Sequence, residues 1–158
     1  MTAIRAMVVV ITVAGAAAAA QPRPDFSGAW ILDVAASTGL NDDERERGVS
    51  LRVRQTDRDI VFERQLKGGP VRAVRYSWDG SEASSRAGAV TVKARSRWEG
   101  DRLLTSGTQT ASVALIRLSA KFDEVRYLND DGNTMVQDST FVRGDTRTRR
   151  TLVFRRAP

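Results

Sequence analysis

The 158-residue chain has no cysteine and no histidine. Without cysteine there are no disulfides, no thiolate metal sites and no thiol nucleophile. Without histidine it lacks the commonest general base, the usual zinc ligand and the side chain that ordinarily titrates near neutral pH. Ser-His-Asp and Cys-His catalysis are therefore excluded. Lysine is scarce as well, occurring only at 67, 93 and 121, so the net charge of +6 is carried by arginine. Long apolar runs are also missing. The longest, Ala6 to Ala20, falls short of the roughly 20 residues a membrane-spanning helix needs.

That run has the layout of a secretory signal peptide. Arg5 supplies the positive start, Ala6 to Ala20 is uncharged and apolar, and Ala18-Ala19-Ala20 offers the small residues a signal peptidase requires. The expected division is a signal peptide over 1–20 and one domain over 21–158. It implies a periplasmic or secreted protein whose mature chain starts at or near Gln21.

The arginines are spread along the chain rather than clustered. In "SLRVRQT" and "TVKARSRW" they alternate with apolar residues, which puts Leu51 and Val53 on one face of a strand and Arg52 and Arg54 on the other. This reads as a solvated strand face and not as a nucleic-acid interface. Weak contact with anionic surfaces such as lipid headgroups or acidic polysaccharide is the second reading.

Past residue 48 the dominant period is two. Strands are expected over 26–33, 51–56, 60–66, 71–78, 89–98, 102–110, 112–119, 124–129, 134–142 and 148–156. Short polar connectors separate them, among them Lys67-Gly68-Gly69-Pro70, Glu99-Gly100-Asp101, Lys121 to Asp123 and Arg143-Gly144-Asp145. About ten strands at roughly ten-residue spacing indicate an all-β sandwich or barrel. Only Ala35 to Gly48 breaks the rhythm, as either a short helix capped by Asn41 and ended by Gly48 or a loop.

The opening "PDFSGAW" resembles that of the calycin group, which includes lipocalins, fatty-acid-binding proteins and bacterial exported lipocalin-like proteins. Phe26, Gly28 and Trp30 match the start of the bacterial proteins. "YSWDG" (76–80) and "SRWEGDRLL" (96–104) are similar to their later strand-turn-strand segments, and "TLVFRR" (151–156) to their closing strand. The resemblance implies a single up-and-down antiparallel β-barrel of about 8–10 strands. It implies that Trp30 plugs the closed end, that Gly28 permits a close approach, and that Arg155 or Arg156 stacks on the indole. The Arg-x-Tyr clamp of fatty-acid-binding proteins is absent, because Arg126 and Tyr127 are adjacent and face opposite sides of a strand.

No enzyme is expected. Asp130-Asp131-Gly132-Asn133 lacks the alternating ligand positions and distal glutamate of a calcium loop and reads as a hairpin turn. Asp42, Asp43, Glu44 and Glu46 read as a solvated acidic cluster. No catalytic residue, metal or cofactor follows from either.

The interior is the better candidate. Val90, Val92, Ala94, Ser96 and Trp98 share a strand face and join Leu51, Val53, Ile60, Phe62, Tyr76 and Trp78. A small barrel is wide enough either to be filled by such side chains or to hold one ligand. Tyr76, Trp78, Trp98 and Arg117 are the candidate ligand-binding residues. Arg117 faces inward if it shares the buried phase with Val113 and Leu115, and outward if Ala114, Ile116 and Leu118 are buried. The leading function is an exported barrel that binds a small apolar or amphipathic molecule non-covalently. The alternative is a cell-envelope interaction or structural module with a packed interior and an arginine-rich surface for anionic partners.

Overall fold

The computed structural model describes residues 23–113 and 116–158. The expected signal peptide over 1–20 lies outside the described residues. The elements in chain order are β1 (Gly28–Leu32), α1 (Asp42–Arg47), β2 (Val49–Gln55), β3 (Asp59–Leu66), β4 (Arg72–Ser77), β5 (Ala83–Ala87), β6 (Val90–Glu99), β7 (Arg102–Val113), β8 (Ile116–Leu128), β9 (Thr134–Arg143) and β10 (Thr146–Arg156). The ten strands form one antiparallel sheet in the order β4-β3-β2-β1-β10-β9-β8-β7-β6-β5. Its two edges, β4 and β5, come together without a full ladder. The Ser85 hydroxyl accepts from the Arg75 N–H at 2.9 Å and donates to the Arg75 carbonyl at 3.3 Å. The result is the expected fold class, an all-β up-and-down barrel, here nearly closed.

Alternation drives the closure. In β2, Val49, Leu51 and Val53 are buried while Ser50, Arg52 and Arg54 are exposed. The inward faces of the strands therefore meet in one core that includes Ile60, Phe62, Leu103, Met135 and Phe154. Arginine on the outward faces keeps the sheet solvated.

Three strand assignments need correction. The strand expected over 112–119 is divided between β7, which ends at Val113, and β8, which starts at Ile116 and pairs antiparallel with it. A turn expected over Lys121–Asp123 is absent, because β8 runs unbroken from Ile116 to Leu128. The alternation persists across that stretch, with Lys121 and Asp123 exposed and Phe122, Glu124 and Arg126 buried. Outward Lys121 and Asp123, with only Phe122 between them, disguise the strand. Conversely, β5 occupies "ASSRA", where no strand is expected, and pairs with β6 from Ala83↔Ala94 to Ala87↔Val90.

The connection after β1 resolves into the helix alternative. The Asn41 side chain accepts from the Glu44 N–H, and the Glu44 carboxylate accepts from the Asn41 N–H, each at 2.9 Å. This reciprocal capping box satisfies two donors that the helix itself leaves open. Gly48, at φ +70°, ends the helix in a conformation that disfavours other residues. Chain direction places α1 and the β3–β4, β5–β6 and β9–β10 connections at one end of the barrel. The β2–β3, β6–β7 and β8–β9 turns lie at the other end.

Candidate functional site

The end away from α1 is sealed. Trp30 and Phe26 have no exposed surface, and the Trp30 indole donates to the Phe26 carbonyl at 2.9 Å. Trp98 lies against Phe26 and Trp78, with ring centroids 5.6 and 5.9 Å away. The Trp78 indole donates to the Asp57 carbonyl at 2.9 Å. Arg156 covers this cluster, its guanidinium carbon 4.2 Å from the Trp30 ring centre. It donates to the Ser27 carbonyl at 2.7 Å and through two nitrogens to the Gly132 carbonyl at 3.1 and 3.3 Å. Gly28 is required here, since a Cβ would sit 2.8 Å from the Arg156 guanidinium, and its φ of +126° also disfavours a side chain.

The stacked residue is Arg156 and not Arg155. Trp30 pairs directly with Arg156 in the β1–β10 ladder, so the two share a face. Arg155 lies opposite Ile31 on the outer side and pairs with Asp33 at 3.1 Å.

Above the seal the barrel is not filled. A cavity of ≈ 500 Å³ opens toward α1, walled by Leu51, Phe62, Val74, Tyr76, Val92 and Phe154. Of the four candidate ligand residues, Tyr76 is in this wall. Trp78 and Trp98 belong to the aromatic cluster below it. Arg117 is exposed and lines no part of it; Ile116 and Leu118, expected to be buried if Arg117 faces outward, are themselves exposed at 62% and 44%. The packed-interior alternative does not describe this barrel.

Deep in the cavity wall lies a polar group that sequence reasoning missed. Arg126 and Glu124, two residues apart on β8, both point inward and are only 5% and 6% exposed. Arg126 Nη2 is 2.5 Å from Glu124 Oε1, and its Nε donates to the Gln137 side-chain carbonyl at 3.3 Å. The other carboxylate oxygen of Glu124 accepts from Gln137 Nε2 at 2.5 Å and from the Ser139 hydroxyl at 3.1 Å. The guanidinium carbon lies over Phe62, 4.0 Å from the ring centre, and 5.4 Å from that of Tyr76. Burial, and secondly the nearby Glu124 charge, push the Tyr76 phenol up to about 12, so it stays protonated at neutral pH. An arginine and a tyrosine thus do meet inside the barrel. They come from β8 and β4, a pairing that no local spacing reveals.

The rim carries a second set of charges. Glu44 is not part of a solvated cluster. Asp42, Asp43 and Glu46 are exposed, but Glu44 turns in from α1 and is 3% exposed. It accepts from Arg64 at 2.6 Å and from Arg150 at 2.7 Å, which fastens α1 across the mouth. Burial alone would raise the Glu44 carboxyl. The hydrogen bonds from Arg150 and the Asn41 backbone and the charges of both arginines outweigh it and hold the group below its ordinary value. Arg72 and Arg143 also border the cavity and are exposed. Among the described residues no acidic side chain lies within ion-pairing distance of either.

The expected hairpin turn over Asp130–Asn133 is present, with Asp131 accepting from the backbones of Asn133 and Thr134.

No known family model matches the sequence, and no curated protein does. The fold itself is known. The zebrafish ileal bile acid-binding protein, solved with cholic acid, superposes with a TM-score of 0.60 at 16% identity, over 84% of this chain and 98% of that one. The chain is similar to that calycin-type barrel in architecture.

Proposed function

We propose that this barrel binds one small apolar or amphipathic molecule non-covalently, and that the chain is exported after removal of residues 1–20. The ≈ 500 Å³ cavity carries the binding reading. It falls within the usual range of ligand sites, about 300–1,000 Å³, and has the usual make-up of apolar walls with a few convergent polar groups. The zebrafish neighbour is a binding protein, which agrees with a carrier rather than an enzyme. Entry is from the α1 end, since aromatic packing and Arg156 seal the other. The Arg5 start and the alanine-rich run to Ala20 support export.

The test is titration of the mature protein with anilinonaphthalene sulfonate, followed through the probe's own emission because no tryptophan lines the cavity. Enhanced, blue-shifted emission that dodecanol displaces is expected, together with a rise in Tm on adding dodecanol. Dodecanol is neutral, so displacement by it separates the cavity from surface arginines holding the sulfonate. Failure of dodecanol both to displace the probe and to raise Tm would remove ligand carriage.

A further inference from the structure

The polar group deep in the cavity is already neutral, and it is incomplete. Arg126 and Glu124 cancel each other's charge, yet two buried atoms of the pair have no hydrogen-bond partner: Arg126 Nη1, a donor, and Glu124 Oε1, an acceptor. Oε1 lies close to Arg126 Nη2 without receiving an aligned hydrogen bond from it. Buried polar atoms are rarely left open, because each costs its full desolvation. Here a donor and an acceptor stand open on adjacent inward positions of one strand, both on residues that line the cavity.

We infer that this pair recognises a neutral hydroxyl at the inner end of the ligand, and that any anionic group of the ligand stays at the mouth. A hydroxyl both donates and accepts, so one such group answers Glu124 Oε1 and Arg126 Nη1 together. A carboxylate only accepts, and it would bring a second negative charge against Glu124 in a buried site, where like charges repel strongly. The mouth has the opposite character. Arg64, Arg72, Arg143 and Arg150 stand there against the single carboxylate of Glu44. The favoured ligand is an apolar chain or ring system with a hydroxyl at one end and an acid at the other. Neither open atom carries surface accessible to water, so the hydroxyl seats through a small adjustment of the surrounding side chains.

This inference rests on the cavity being the ligand site. Three chains of equal length test it by competition against anilinonaphthalene sulfonate: ω-hydroxydodecanoic acid, dodecanol and dodecanoic acid. The hydroxy acid should bind roughly tenfold more tightly than dodecanoic acid, the worth of one well-made hydrogen-bond pair. Replacing both charged partners together, Glu124→Leu with Arg126→Leu, leaves no lone buried charge and should erase that advantage. Arg72→Ser with Arg143→Ser alters only exposed side chains. It should weaken the hydroxy acid severalfold while leaving dodecanol unchanged. Equal or tighter binding of dodecanoic acid, or a hydroxyl advantage that survives the double leucine variant, would overturn the inference with ligand carriage intact. Binding of none of the three would instead remove the carrier reading itself.

Discussion

Arg156 and Arg126 each hold a guanidinium over an aromatic ring, and they have opposite hydrogen-bond circumstances. Arg156, at the sealed end, covers Trp30 and finds backbone carbonyls for Nε, Nη1 and Nη2. Arg126, in the cavity wall, covers Phe62 and keeps Nη1 without a partner. The distances to the rings are alike, 4.0 and 4.2 Å, and the difference lies in what remains unsatisfied. Carbonyls fixed by the fold make Arg156 a lock between the last strand, the β8–β9 turn and the residues ahead of β1. Arg126 is opposed by the Glu124 carboxylate and donates to Gln137, with Nη1 left over as the donor that the inferred hydroxyl would take. Stacked arginine by itself therefore says nothing about function; its open valences do.

The largest expected effect breaks the sealed end. Trp30→Ala should cost about 3–5 kcal/mol, in line with aromatic truncations in cores, and urea denaturation measures it. A loss below about 1 kcal/mol would mean that Trp30 is not the plug of the barrel. Next comes the cavity pair. Arg126→Ala strands Glu124 in a buried site and should cost about 3 kcal/mol, whereas the joint replacement Glu124→Leu with Arg126→Leu should restore most of that stability. If the joint variant is as unstable as the single one, the pair holds the fold together and is not a site kept for ligands. A smaller effect concerns the mouth. Because the Glu44 carboxyl is held below its ordinary value of 4.5, the folded state binds its proton less readily than the unfolded chain does. Its stabilisation is thus complete above the ordinary value and is lost as pH falls through the lowered one. The protection of α1 amides against exchange should therefore fall once the pH drops below the ordinary value of 4.5, before the barrel strands open, and Glu44→Gln should remove that pH dependence. Exchange in α1 that stays as slow as in the strands down to global unfolding would show that Glu44 does not fasten the helix. Smallest of all, Arg117→Ala should change stability by less than about 0.5 kcal/mol, because the side chain is solvated.

The sealed end was legible in the sequence and the cavity's chemistry was not, for physical reasons. Phe26, Gly28 and Trp30 form a compact local motif, and the strand pattern around it has period two. The choice between Arg155 and Arg156 depended on register, which only the β1–β10 pairing fixes. The inward face over Val92, Ala94 and Ser96 was readable because those residues are apolar or small, as period-two reasoning requires. The same reasoning failed over Lys121 to Asp123, where outward Lys121 and Asp123 resemble a polar turn, and it gave no sign that Glu124 and Arg126, in the strand expected next, are buried. Their partners, Gln137 and Ser139, lie on the neighbouring strand, so the compensation that permits burial is invisible along the chain. Glu44 was hidden differently. Three exposed acids surround it, and its pairing with Arg64 on β3 and with Arg150, more than a hundred positions away, distinguishes it.

The contrast between the two arginines is tested most directly by ¹H–¹⁵N spectra of the guanidinium and indole groups during titration with ω-hydroxydodecanoic acid. The Arg126 side-chain signals should shift with saturation, and backbone amides of Phe62, Tyr76 and Val92 should move with them. The Trp30 indole and the Arg156 guanidinium should stay in place, because the sealed end makes no contact with the cavity's occupant. Movement of the Trp30 and Arg156 signals with those of Arg126 unchanged would contradict the assignment of one end as lock and the other as binding site.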